Sequence, residues 1–200
     1  LTEEVAVHDA VIFIQGEDSA EITNGRIRAV LYRQGWGNAL QITFYNEKGE
    51  VLLQEIPNGG ALCLKARYFR SLPGGSFYLK ASFQSNDREK LYGMGQYQQE
   101  RMNLKGCNLE LAHRNSQASV PFCVSSLGYG FLWNNPAVGE VHFGTNTTEW
   151  EAWSTNQLDY WITAGERPGD IEKNYAEVTG KAPMMPEYGL GFWQCKLRYY

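Results

Sequence analysis

The strongest constraint in this 200-residue chain is its punctuation: short β-prone runs, nearly all closed by glycine or asparagine–glycine turns, fill the first 165 positions. AVIFIQG ends on Gly16, and AEITNGRIRAVLY sets Asn24-Gly25 between two runs, the strongest short-range hairpin signal. LQITFYNEKGEVLLQEI repeats the design with a turn at residues 46–49. SFYLKASFQ alternates Phe77, Leu79 and Ala81 against Tyr78 and Lys80, and VPFCVSSLGYGFLWNN turns at Ser126-Leu127-Gly128. EVHFGTN, TEWEAWS and LDYWITAG continue the series. Many short strands with glycine-rich turns predict a mainly β protein, an antiparallel sandwich and not a parallel sheet.

One helix interrupts the pattern. RPGDIEKNYAEVTGKAP places Pro168 and Asp170 at a helix start, Ile171, Tyr175 and Val178 on one stripe, and Gly180 at the end. Pro183 and Pro186 forbid continuation and read as a linker, so a domain boundary is expected at about residue 182. The apolar run from Tyr188 to Gln194 then has only six residues after it. It is either a closing strand of the sandwich or the start of another domain. The missing initiator methionine points to a processed or excised piece.

Composition narrows the function classes. With 43% hydrophobic and 14% aromatic residues the chain can bury a large core. The balance of 18 basic to 22 acidic residues, with no basic run longer than two, argues against nucleic acid as a partner. No stretch reaches the roughly 18 apolar residues of a membrane span, and no signal-type N-terminus is present. Cys63, Cys107, Cys123 and Cys195 show no CxxC spacing, and most of them are expected as buried small hydrophobes in a reducing compartment. His8, His113 and His142 are equally dispersed, so neither metal nor cofactor is expected. The sequon Asn146-Thr147-Thr148 is too short a signal to prove secretion.

Between Gln84 and Ser119 side-chain amides replace aliphatic alternation: Gln96, Gln98, Gln99, Asn103, Asn108, Asn115 and Gln117, with Tyr92, Tyr97 and Arg114 among them. Amides, aromatics and an arginine suit sugar hydroxyls, which need paired donors and acceptors and a flat stacking face. A long, merely solvated surface loop has the same composition. The acids Asp87, Glu89, Glu100, Glu110, Glu149, Glu151 and Asp159 fall singly, and nothing marks two as converging for glycoside hydrolysis. No GxSxG, Cys–His or phosphate-loop motif occurs.

Three stretches, in order, carry a resemblance. KLYGMGQYQQERMNLKG, SVPFCVSSLGYGFLWNN and the run from DYWITAG to PMMPEYGLGFWQCKLRY resemble the motifs of glycoside hydrolase family 31, from about residue 21 to the end. The GFWQxKxRY form is most similar to its bacterial α-xylosidase and α-glucosidase branches. The resemblance implies a galactose-mutarotase-like N-terminal β-sandwich over residues 1–182, followed at 183–200 by a linker and the first strand of a (β/α)8 barrel. It further implies a retaining α-glycosidase of carbohydrate metabolism whose two catalytic aspartates lie beyond this chain. No catalytic residue is therefore expected here, and the isolated chain is expected to be inactive.

The family's W.RD loop falls on residues 112–117, so the resemblance gives Arg114 and Asn115 contact with the aglycone side of the substrate. Asn115 stands where aspartate is commoner; an amide still donates and accepts but carries no charge. The first barrel strand would bring Gln194, Lys196 and Leu197 near the sugar pocket wall, with Arg198 just outside. Trp193 would either join them or pack inside the barrel, and Cys195 would fill the crowded interior. The expected partners are an α-linked oligosaccharide or α-glycoside and the missing barrel of the same protein. An apolar docking patch would let the isolated chain self-associate, a homo-oligomer included. Four unpaired cysteines without a signal favour bacterial cytoplasm. Two other classes fit the fold, a stand-alone carbohydrate-binding sandwich and a mutarotase-type epimerase, although three dispersed histidines offer the latter no visible partner.

Overall fold

The computed structural model describes residues 10–34 and 39–194. Five strands form the first sheet: β1 (Val11–Gln15), β2 (Ser19–Asn24), β3 (Ile27–Gln34), β4 (Ala39–Asn46) and β5 (Val51–Gln54). They run as an antiparallel meander in sequence order. Gly25 takes φ 56° in the β2–β3 turn, where a side chain would be strained, so the Asn24-Gly25 hairpin forms where expected.

The chain then crosses to β6 (Arg67–Ser71), β7 (Phe77–Gln84), β8 (Leu91–Gln96), β9 (Asn108–Leu111), β10 (Ala118–Ser125), β11 (Tyr129–Leu132), β12 (Gly139–Phe143), β13 (Thr147–Thr155) and β14 (Trp161–Ala164). These build a sheet in the order β6-β7-β13-β12-β9 and a second in the order β14-β11-β10-β8. Both are antiparallel throughout. The first sheet joins the β6–β9 sheet through the bridge Glu55↔Phe83.

The layers face each other through rings. Phe131 of β11 stacks on Trp150 of β13 at 4.9 Å and meets Phe83 of β7 edge-on at 5.5 Å. Trp133, Trp150, Phe83 and Phe143 are at most 1% exposed, and each buries the 150–250 Å² typical of a large aromatic. Alternation supplies this: Leu79, Ala81 and Phe83 are buried while Tyr78 and Lys80 lie on the other face. The mainly β sandwich is thus what the turn spacing demands.

Helix α1 (Pro168–Thr179) seals the second sheet. Ile171 is 1% exposed, Tyr175 stacks on Phe122 at 4.0 Å, and the Arg167 N–H donates to Asp170 Oδ2 at the helix start. Gly180, at φ 99°, caps the end as the sequence requires.

Two expectations need correction. Residues 84–119 are not one polar loop, because β8 and β9 run through them and bury Leu91, Met94, Leu109 and Leu111. The alternation is disguised by Gly93 and Gly95, whose φ values are 104° and 90°. A Cβ on Gly95 would sit 2.3 Å from the Ala118 carbonyl oxygen, so only glycine admits β10 so closely. Second, Cys123 is a buried thiol, but Cys107 is half-buried and Cys63 is exposed in a turn at φ 50°; Cys195 lies outside the described residues. The expected barrel strand lies partly outside the described residues; within them, the apolar run after Pro186 forms no strand. Glu187–Leu190 make one 3₁₀ turn, and Met184, Tyr188 and Phe192 are more than 80% exposed. A strand needs an edge to pair with, and none of the described strands runs beside this segment. No helix among the described residues is long and apolar enough to cross a membrane.

Candidate functional site

The hairpin between β9 and β10 carries the first two candidate residues. At its base Arg114 and Gln117 pair as a two-residue bridge, and the Gln117 amide donates to the Ala112 carbonyl at 3.0 Å. Ser116 takes φ 64°, which lets the tip turn within four residues. The Ser119 N–H donates to His113 Nδ1 at 3.3 Å, which requires that nitrogen to be unprotonated. The loop is therefore set by its own hydrogen bonds.

Arg114 and Asn115 are both exposed, but they differ in freedom. Arg114 grips Glu110 through both carboxylate oxygens, Nε to Oε2 at 2.7 Å and Nη2 to Oε1 at 2.5 Å. That fork holds the Glu110 carboxyl below its ordinary pKa and raises that of the guanidinium. Asn115 has no hydrogen-bond partner among the described residues. Two of the five Arg114 donors are thus committed to the scaffold, while the whole Asn115 amide faces solvent.

The loop forms one lip of a cleft of about 600 Å³ whose lining includes Ala112, His113, Ser119, Trp133, Asn134 and Tyr175. Tyr175 brings α1 to the opposite lip, and Asn134 is held by Asp159 at 2.5 Å. The cleft mixes ring faces with amides, a lining suited to a polyol. Arg114, Asn115 and Gln194 are exposed, and none of the three is among the residues that line it. Lys196 and Leu197 lie outside the described residues.

The other polar residues of the 84–119 segment mostly serve the fold. Tyr97 donates to the Glu110 carbonyl at 2.9 Å and meets Ser119 Oγ at 2.8 Å. Asn103 Oδ1 accepts from the Leu91 N–H at 3.0 Å. Glu89, 4% exposed, accepts from Ser125 Oγ at 2.5 Å and Tyr129 Oη at 2.6 Å. Lys105 Nζ lies 3.5 Å from its second oxygen and also reaches Ser85 Oγ. Burial, and then the Glu89 charge, push the Tyr129 phenol well above its ordinary pKa.

Acids that fall singly in the sequence do converge in space. Glu140 is directly opposite Glu151 on one side and Glu110 on the other, across the outer face of the β6–β9 sheet. Glu149 joins them, and Lys80 lies 3.3 Å from Glu149 and 3.9 Å from Glu151. The alternating glutamates of TEWEAW hint at this row, but only the strand pairing assembles it. No group of three potential metal ligands among the described residues is arranged to hold an ion.

Residues 8–141 match the family model for the glycosyl hydrolase 31 N-terminal galactose mutarotase-like domain. The chain is 47% identical, over 93% of its length, to the uncharacterized family 31 glucosidase ORF2 of Pseudescherichia vulneris, and 35% identical over 92% to alpha-xylosidase A of Aspergillus niger. It spans only 37% and 26% of those proteins, about a third of their length. Among solved structures, a GH31 alpha-xylosidase from a soil metagenome, complexed with xylose, superposes with a TM-score of 0.88 at 49% identity. That match covers 97% of this chain and 30% of the neighbour. The expected β-sandwich and the three sequence motifs meet in one assignment: the chain belongs to glycoside hydrolase family 31, by the N-terminal domain of that family.

Proposed function

We propose that this chain is the N-terminal part of a retaining α-glycosidase, of α-xylosidase type before α-glucosidase, acting on α-linked oligosaccharides. The single observation that carries the reading is the preset 112–117 hairpin: its Ala112 and His113 line an amide-and-ring cleft, while Asn115, outside that lining, keeps an exposed amide without a partner among the described residues. The similarity to α-xylosidases supports the substrate class. The sandwich spans residues 1–182, and residues 183–200 lead into a catalytic barrel. Gln194, Lys196 and Leu197 lie near the sugar pocket once that barrel is present. The exposed apolar side chains of Met184, Phe192 and Trp193 fit such a continuation, and would make the chain self-associate when alone. The free thiols of Cys63, Cys107 and Cys123 fit a reducing bacterial cytoplasm.

In this mechanism the bond-making carboxylates are two barrel aspartates, one nucleophile and one acid/base, working through a covalent glycosyl-enzyme. The hairpin contributes binding on the leaving-group side: Asn115 donates and accepts with sugar hydroxyls, and Arg114, anchored by Glu110, stiffens it. Ordering paid in advance by the scaffold raises affinity without new contacts. The test is hydrolysis of p-nitrophenyl α-xyloside, p-nitrophenyl α-glucoside and an α-xylosyl disaccharide by the full-length enzyme. Asn115→Ala should lower kcat/KM for the disaccharide about tenfold and leave the aryl glycosides nearly unchanged, as expected when one neutral hydrogen-bonding group to the leaving sugar is lost. Turnover by the 200-residue chain alone would overturn the assignment of the catalytic carboxylates to the barrel.

A further inference from the structure

The first sheet carries an apolar row that crosses all five of its strands: Ile12, Ile22, Ala29, Phe44 and Leu53, each directly opposite the next. At its inner end Phe44 and Leu53 are 6% exposed and belong to the main core. Ala29 packs partly against that core. Exposure then climbs to 37% at Ile22 and 65% at Ile12. A second row, Ile42, Leu31, Ala20 and Ile14, runs outward the same way and ends with Ile14 at 69%.

The opposite face of these strands is patterned for other partners. There Arg28 pairs with Glu21 at 3.0 Å and lies over the Tyr45 ring, while Tyr32 bonds Thr43 and Gln54. Among the described residues, the core face of the sheet thus continues past the point where its cover stops.

The outermost strand adds a second observation. Among the described residues β1 pairs only with β2, so its other edge presents unpaired backbone N–H and C=O groups. Sheet edges left to solvent are normally blunted by charge, proline or a bulge. The sequence VIFIQ has none of these, and Val11, Ile12, Phe13 and Ile14 are each 62–69% exposed.

We infer that the β1 edge and the Ile12–Ile14–Ile22 face are covered by a further β-strand layer of the same polypeptide, drawn from outside residues 1–200. This rests on the reading that the chain is part of a longer glycosidase. The chain spans 37% of one relative and 30% of a structural neighbour, so ample polypeptide exists in such proteins to supply the layer. A helix from the outside of an α/β barrel could cover the isoleucine row, but it cannot pair the free backbone edge. Only a strand with apolar residues at alternate positions satisfies both.

Amide hydrogen exchange of residues 11–15, compared between the full-length enzyme and the 200-residue chain, tests the inference. Exchange should be slower in the full-length enzyme by on the order of a hundredfold. I12K/I14K should erase most of that protection in the full-length enzyme and leave exchange in the short chain unchanged. Equally fast exchange in both proteins overturns the inference. Protection that rises with concentration in the short chain, with a dimer by sedimentation, also overturns it, because the occupant is then a second copy. A full-length enzyme that lacks α-glycosidase activity sinks the functional reading instead, and the exchange comparison still reports on the cover.

Discussion

Two carboxylate–cation pairs, one between the β7–β8 turn and the loop before β9 and one from β9 to its hairpin, show how one kind of interaction serves opposite ends. Glu89 and Lys105 have side chains only 4% and 9% exposed, and hydroxyls from Ser125, Tyr129 and Ser85 complete the pair. Glu110 and Arg114 are 32% and 61% exposed, with better bidentate geometry and an open side toward solvent. The buried pair fixes how the β7–β8 turn and the loop before β9 meet the core. The exposed pair fixes only the aim of a hairpin. Burial, not geometry, decides which one the fold depends on.

The largest effects should follow from breaking the buried pair. Lys105→Met leaves the Glu89 charge without its cation, and Glu89→Leu leaves an ammonium and two hydroxyls unpaired. Each should cost about 3–5 kcal/mol in urea unfolding, the usual result of stranding a buried charge. The double variant should recover a good part of that loss, because both charges are then gone. A double variant no more stable than the worse single one would show that the hydroxyl network, and not the ion pair, is what matters.

A third carboxylate sharpens the contrast through pH. Glu55 is 1% exposed, with Oε2 accepting from the Ile42 N–H at 2.9 Å and Oε1 3.0 Å from Arg67 Nε. Burial raises its pKa above 4.5 and outweighs the lowering by Arg67. A carboxyl raised on folding binds more protons in the native than in the unfolded state. Its contribution is therefore present below the unfolded value and is lost as pH rises through the folded one. The stability of the wild-type chain should fall across that window, by at most about 1.4 kcal/mol per pH unit from this group. Glu55→Gln should remove that slope in pH-dependent urea melts, whatever it does to absolute stability. A variant that keeps the slope would move the titration to another group.

What could be read in the chain tracks how locally each feature is encoded. The Asn24-Gly25 hairpin and the Gly180 cap follow from backbone conformations that few residues tolerate, so both were legible. Strands β8 and β9 were not. Gly93 and Gly95 are there because β10 passes within van der Waals reach, a demand set by a partner some 25 residues away in sequence. The carboxylate row of Glu110, Glu140 and Glu151 was hidden for the same reason, since register lies in the pairing and not in either strand. At the candidate site, family motifs pointed to residues 112–117, which the structure folds into a short hairpin closed by the Arg114–Gln117 bridge. The commitment of Arg114 to Glu110 was not legible, because the four-residue spacing suggests a helical pair and here it spans a strand end and a turn.

The exposed pair should give the smallest change in stability and the most specific change in function. Arg114→Ala and Glu110→Ala should leave the urea midpoint of the chain within error of the wild type, since water screens both partners. The pair should still report itself locally. The Glu110 carboxyl, held down by Arg114, should titrate below its ordinary range, and the hairpin amides of residues 113–117 should shift with it as pH falls. In the full-length enzyme, Glu110→Ala should raise KM for a disaccharide while kcat holds, because a loosened hairpin pays its ordering cost on binding and the barrel chemistry is untouched. Glu110→Asp keeps the charge but shortens its reach, so its carboxyl should still titrate low only if the field of Arg114, and not the two-pronged fork, sets the shift. If kcat falls with KM unchanged, the hairpin acts in the bond-breaking step, and the division between a structural pair and an aiming pair fails.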